Sequence, residues 1–278
     1  MDIPQAAVAE CERIVREAGP DRAVSLGFAP REKQPGLLAL YAFDIEAGRV
    51  RDHVSQPLAG EIRLQWWRDR IAAAAAVEAA GHPVADALLA TIRAHALPVD
   101  ALDRYVEARI FDLYDDPMPD RAAFEAYAGE TQSAILMLAA MILDSEAAPG
   151  AAEAAGHGGV ALAAVQAIRR LPIARRRGPI VLPGDLLAAA GCSAEALQGG
   201  DAQAGGRAVL AMADFAEEHW RAFEAVAKPP SLRPALLPVS LVPSLLRKVR
   251  ADPAACLERS VEIGALARLA RYWRAMRG

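Results

Sequence analysis

The sequence predicts an all-α protein folded as a single domain over residues 1–278. Hydrophobic residues make up 54% of the chain, yet aromatic residues only 5%. The core must therefore be built mainly from Ala, Leu, Ile and Val, and Ala and Leu are strong helix formers. Apolar residues recur at helical spacing along most of the chain, and no stretch shows the alternation of a half-buried strand. With 278 residues and 24% charged side chains, there is material for a large core and too much hydrophobicity for disorder.

The elements follow in order. Over Ala7–Ala18, Val8, Cys11, Ile14 and Val15 fall on one helical face. Pro35 opens a stretch running through Leu37, Leu38, Leu40, Tyr41, Ile45 and Val50. Pro57 fits the first turn of the next helix, which carries Ile62, Leu64, Trp66, Trp67 and Ile71. Further helices are expected at about 84–96, 99–113, 120–144, 152–171, 202–226 and 259–277, with Asp120 and Asp201 placed as N-caps. Pro172 and Pro183 frame Ile173–Leu182, which reads as a loop between helices. The Pro-rich stretch Lys228–Pro243 resembles a linker in its prolines. It also carries Leu232, Leu236, Leu237, Leu241 and Val242, so it reads as a packed irregular segment.

A net charge of −4 argues against general nucleic-acid binding, which usually needs a basic domain. Cys11, Cys192 and Cys256 are far apart and form no CxxC pair, as expected in a reducing compartment. The N-terminus lacks the basic start and apolar run of a signal peptide. The longest apolar run, Ala134 to Leu143, is about half of a membrane span. The expectation is a cytoplasmic protein, with peripheral contact to the inner face of a membrane left open. The histidines show no metal-ligand spacing, and no nucleophilic triad or phosphate-binding glycine loop can be picked out. No cofactor is expected.

Several clusters have two readings. Asp112, Asp115 and Asp116 have the spacing of a metal motif, but Pro117 and Pro119 follow at once, so a helix end with solvated acids is the plainer reading. Arg169, Arg170, Arg175, Arg176 and Arg177 form either a phosphate, anionic-lipid or acidic-partner site or a solvated loop. Trp66 and Trp67 point about 100° apart, so one can pack in the core while the other lines a groove. In the last helix, Leu266, Leu269, Trp273 and Met276 recur among Arg268, Arg271, Arg274 and Arg277. That pattern fits both a membrane-surface helix and an outer bundle helix.

Three stretches resemble the squalene/phytoene synthase family. They are Leu38–Asp52, LALYAFDIEAGRVRD; Tyr127–Leu143, YAGETQSAILMLAAMIL; and Ala161–Leu187, which ends in RRRGPIVLPGDLL. Tyr41-Ala42-Phe43 and Leu182-Pro183 after a basic run are the most specific pieces. The resemblance implies an isoprenoid-synthase-like helical bundle around a central cavity. It also implies two opposed aspartate motifs at the mouth, which in active members hold Mg²⁺ against a departing diphosphate.

By that resemblance, carboxylates would stand at positions 48, 49, 52, 170 and 174. This sequence has Gly48, Arg49, Asp52, Arg170 and Ala174 there. Ile45 replaces an arginine common in the family, and Glu130-Thr131-Gln132 replaces a segment of small residues. An arginine about 6 Å from a divalent ion, at an effective dielectric of about 20, opposes it by about 5 kcal/mol. These departures resemble a non-catalytic branch of the family that includes an assembly factor of respiratory complex I. The resemblance implies no catalytic residue, and a role in respiratory complex assembly or prenyl-lipid binding. The partner would be a respiratory subunit or assembly protein, or a prenyl lipid. Tyr41, Phe43, Thr131, Gln132, Ser133, Arg175, Arg176 and Arg177 are the candidate cavity or partner residues. The alternative is an active head-to-head prenyltransferase with a displaced metal site, for which Asp112, Asp115 and Asp116 are the candidates.

Overall fold

The computed structural model describes residues 3–75, 80–177 and 180–277, the side chain of Arg177 excepted. Among these residues every regular element is helical. In chain order they are α1 (Gln5–Ala18), α2 (Pro20–Leu26), α3 (Gln34–Gly48), α4 (Pro57–Ala72), α5 (Pro83–His95) and α6 (Val99–Ala108). Then come α7 (Arg121–Ala128), α8 (Ala134–Leu143), α9 (Ala152–Arg177), α10 (Gly184–Ala189), α11 (Ala194–Gly199) and α12 (Ala202–Ala225). The last three are α13 (Arg233–Leu236), α14 (Val242–Ala251) and α15 (Ala265–Arg277).

Local chemistry sets many of the boundaries. Asp120 caps α7 by accepting from the Ala123 amide at 2.8 Å, and Asp201 caps α12 by accepting from the Gln203 and Ala204 amides at 2.9 Å. Both use the capping geometry expected of a short acidic side chain. Pro57 and Pro83 sit in the first turns of α4 and α5, where no amide hydrogen is missed.

Two apolar clusters form the interior. One joins α1, α3, α4, α5, α6 and part of α8; the other surrounds α9, α12 and α14. α8 spans both, with Leu138 and Ile142 in the first and Leu136 in the second. α7 and α8 are joined by a π-helical turn over Gly129–Ser133, so the helix is continuous over Arg121–Leu143. By length and composition it could cross a membrane. However, 61% of its apolar window is buried inside the fold, as befits a core helix. α9 approaches the π-helical turn that precedes α8 at Gly159. A Cβ on Gly159 would lie 2.1 Å from Ser133 Oγ and 2.4 Å from the Ser133 amide nitrogen.

Three expectations need correction. Ile173–Leu182 is not all loop: α9 runs through Pro172 to Arg177. A proline inside a helix forfeits one amide bond, but packing holds this one, with Ile168 and Leu171 fully buried just before it. The stretch Lys228–Pro243 is packed but not irregular. It folds into short helical turns because its leucines are buried, Leu232 at 0% and Leu241 at 1% exposure. The helix expected over 99–113 gives way after Ala108 to a 3-10 turn, Arg109–Leu113.

Candidate functional site

α3 carries an almost unbroken buried run, Leu37 through Phe43, and the next residue, Asp44, is buried too. A carboxylate in such a place needs cationic partners. α2 and the end of α6 supply them. Arg22 Nη1 donates to Asp44 Oδ2, and Arg109 Nη2 donates to Asp44 Oδ1 at 3.1 Å. The Tyr105 hydroxyl donates to the same Oδ1.

Arg109 extends the network. Its Nε donates to the Tyr105 hydroxyl oxygen at 3.1 Å, and its Nη1 donates to the Tyr127 hydroxyl oxygen at 2.9 Å and to Asp112 Oδ2 at 3.2 Å. Tyr127 in turn donates to Asp112 Oδ1 at 2.8 Å. Arg22 Nη2 donates to Gln132 Oε1 at 3.1 Å, tying in the π-helical turn. Two arginines therefore face two aspartates, and the charges cancel.

Burial alone would raise the Asp44 carboxyl pKa, but the Arg22 and Arg109 guanidinium groups hold it below the ordinary value. Burial pushes the Tyr41 hydroxyl up to about 12, and those of Tyr105 and Tyr127 also up. The phenols stay protonated, and those of Tyr105 and Tyr127 act as donors.

Gly48 lies one turn beyond Asp44, on the same face. A Cβ there would sit 3.5 Å from Arg109 Cζ and Nη2, so the guanidinium rests against bare backbone. Asp52, in the 3-10 turn Val50–His53, accepts from Arg170 Nη2 of α9 at 3.2 Å and has Arg49 Nε at 3.9 Å. Ala174 stands one turn along α9 from Arg170. The structure thus brings positions 52 and 170 together. It joins them as an acid and a base.

The other candidates separate. Tyr41 and Gln132 line a cavity of about 40 Å³, together with Asp21, Arg22, Leu136 and Arg169. Phe43 is core, edge-on to Trp67. Thr131 and Ser133 spend their hydroxyls on backbone carbonyls, those of Tyr127 and Gly156. Asp112 belongs to Arg109 and Asp115 pairs with Arg51 at 3.2 Å. Among the described residues, no group of three or more His, Cys, Asp or Glu side chains could hold a metal ion.

The basic cluster is neither a solvated loop nor one exposed patch. Arg169 pairs with Asp21 and Glu262, and Arg170 with Asp52. Arg175 is only 13% exposed, donating to Glu258 and to the Leu257 carbonyl. Arg176 is exposed, and the Arg177 side chain lies outside the described residues. Helical continuity is the reason: on α9 these side chains point in different directions and find separate partners. Trp67 packs inward, while half-buried Trp66 and His82 line an outer groove of about 580 Å³ with Arg13, Ile45 and Arg49.

Sequence reasoning missed Arg22, Tyr105 and Arg109. The signal was Asp44 itself, a lone acid in an apolar run. It also missed that His157 and His219 meet, Nδ1 to Nδ1 at 3.2 Å, from residues 62 apart in sequence.

The sequence model of squalene/phytoene synthase matches residues 15–267. NADH dehydrogenase (ubiquinone) complex I, assembly factor 6, of Rattus norvegicus is 32% identical over 166 residues, which cover 60% of this chain and 50% of that protein. The Homo sapiens protein of the same name is 31% identical over the same extent. The chain thus spans about half the length of the curated relatives it matches. Among solved structures, a dehydrosqualene synthase in complex with ligand superposes with a TM-score of 0.81 at 17% identity, covering 98% of this chain and 95% of the other. Squalene synthase HpnC from Alicyclobacillus acidocaldarius gives 0.73 at 20% identity, covering 88% and 94%. These two likenesses show the fold.

Proposed function

The chain belongs to the squalene/phytoene synthase family, and from that premise we propose that it is a non-catalytic member acting as a binding protein in the assembly of a respiratory complex. The observation that carries this reading is the Asp52–Arg170 ion pair. Members that ionise allylic diphosphates need carboxylates on both sides of the mouth to hold Mg²⁺. Here the acid on the α3 side is neutralised by a base standing where the α9 side would supply its own acid. Gly48 and Ala174 offer no ligand, and Arg49 adds a further positive charge. Arg109 occupies the space beside Gly48. The residues present do not fit a magnesium ion.

The rest of the site agrees. Arg22 and Arg109 balance the charges of Asp44 and Asp112, so neither carboxylate is left without a cationic partner. The displaced-site alternative loses two of its three donors, since Asp112 and Asp115 are held by Arg109 and Arg51, and no three acidic, His or Cys side chains among the described residues cluster as metal ligands. The cavity of about 40 Å³ beside Tyr41 and Gln132 is far below the about 300 Å³ of a small ligand pocket, which favours a protein partner over an enclosed prenyl lipid.

The similarity to complex I assembly factor 6 supplies the partner class. The test is cross-linking and affinity capture of the tagged full chain from its native cell, read by mass spectrometry. NADH dehydrogenase subunits or their assembly intermediates should be enriched over a tagged control protein. Their absence from the captured set would reject the assembly role.

A further inference from the structure

α15 is turned the opposite way from an ordinary outer helix. Its inward side chains are Arg268 and Tyr272, at 6% and 0% exposure. Both are bound to Asp21: Arg268 Nε donates to Oδ1 at 2.6 Å, and the Tyr272 hydroxyl donates to the Asp21 carbonyl at 3.0 Å. These contacts fix the roll of the helix. The consequence is that Leu266, Leu269 and Trp273 face outward, 84%, 49% and 51% exposed. They recur at i, i+3 and i+7, so they form one stripe.

The charge on the helix that carries the stripe is of one sign. Arg271, Arg274 and Arg277 lie on the same helix, which has no acidic residue, and exposed Arg247 of α14 raises the positive potential at Arg271. No Asp or Glu side chain among the described residues pairs with any of these four arginines. This contrasts with Arg13, Arg68, Arg104 and Arg250, each of which has acidic partners. In a chain of net charge −4, the positive charge is concentrated beside an exposed apolar stripe. The Arg277 guanidinium stacks 3.3 Å from the Trp273 ring centroid, a pair suited to the headgroup level of a bilayer.

From this arrangement we infer that α15 is a peripheral membrane-docking helix, lying in the plane of an anionic lipid surface with Leu266, Leu269 and Trp273 inserted among the acyl chains. The arginines give the surface its preference for anionic headgroups, and the stripe gives it hold. The inference does not rest on the assembly role and stands apart from the arginine-filled mouth.

The test uses the full chain and vesicles of phosphatidylcholine, with and without phosphatidylglycerol. Binding is read by co-sedimentation, and burial of Trp273 by quenching with brominated lipid, with W273F as the blank. The protein should bind the anionic vesicles, weaken as salt rises, and show quenching that W273F loses. Each arginine near an anionic surface is worth about fivefold in binding, so R271Q/R274Q/R277Q should weaken it by about a hundredfold. L266E/L269E, at exposed positions that leave the fold intact, should abolish it. Circular dichroism and thermal melting would verify that both variants are folded. Equal binding to neutral vesicles, retention of binding by folded L266E/L269E, or no binding at all would overturn the inference. So would a dimer in solution that L266E/L269E dissociates, since the stripe would then be covered by a second copy.

Discussion

Asp44→Asn should lower the folding stability by about 3–5 kcal/mol, the usual loss when one partner of a buried ion pair is removed. The substitution keeps the shape of the side chain and removes only its charge. Arg22 and Arg109 would then face each other across a neutral amide in the interior. Asp112 would remain as the acid on Arg109, and Arg22 would keep only the Gln132 carbonyl among the bonds described above. The pH dependence has a definite sign. The folded carboxyl pKa is depressed, so its contribution is present above the unfolded value of about 3.9 and is lost as pH falls through the lower folded value. Urea unfolding of both proteins at neutral pH should show the full gap, and the gap should narrow in acid below about pH 4. A loss under about 1 kcal/mol at neutral pH would mean that the arginines reach water on their own.

Gly159→Ala should cost about 3 kcal/mol, at the upper end for overpacking. The added Cβ would meet Ser133 at 2.1 Å from Oγ and 2.5 Å from Cα. A side chain could rotate away, but the backbone of the π-helical turn cannot move without shifting Gln132 and its bond to Arg22. Gly156→Ala provides the control. It is three residues earlier in α9, with nothing within 4 Å of the added Cβ. There the helix propensity of Ala should leave stability unchanged or raise it by up to about 1 kcal/mol. Thermal unfolding of the two variants side by side separates close approach from the general effect of replacing glycine. Equal effects would refute the account of how α9 meets α8.

The helices were legible where periodicity and punctuation agreed. Asp120 and Asp201 were readable as caps because a short acid before an apolar run has one economical use. Pro172 misleads, because proline ordinarily ends a helix, whereas here buried Ile168 and Leu171 carry it through. In the Pro-rich stretch the leucines forecast burial but not the short helical turns, since proline is compatible with any first turn. The family resemblance singles out positions 52 and 170, and what no local pattern states is that Asp52 and Arg170 meet as an ion pair across 118 residues. The network at Asp44 was not legible, because its members lie 22, 61 and 65 residues away in sequence. No local pattern announces which distant arginine will meet a buried acid. The orientation of α15 was hidden for a related reason. Its stripe suits either side of the helix, and Asp21, 247 residues from Arg268, decides between them.

The central claim is that arginine has displaced metal at the mouth of the bundle. The most direct measurement incubates the purified chain with farnesyl or geranylgeranyl diphosphate and Mg²⁺, following product formation, alongside titration calorimetry with Mg²⁺ and a non-hydrolysable diphosphate analogue. The account predicts no squalene, phytoene or cyclopropyl intermediate, and no binding that depends on Mg²⁺. Turnover that requires Mg²⁺ and is abolished by replacing Asp112, Asp115 or Asp116 with Asn would contradict it.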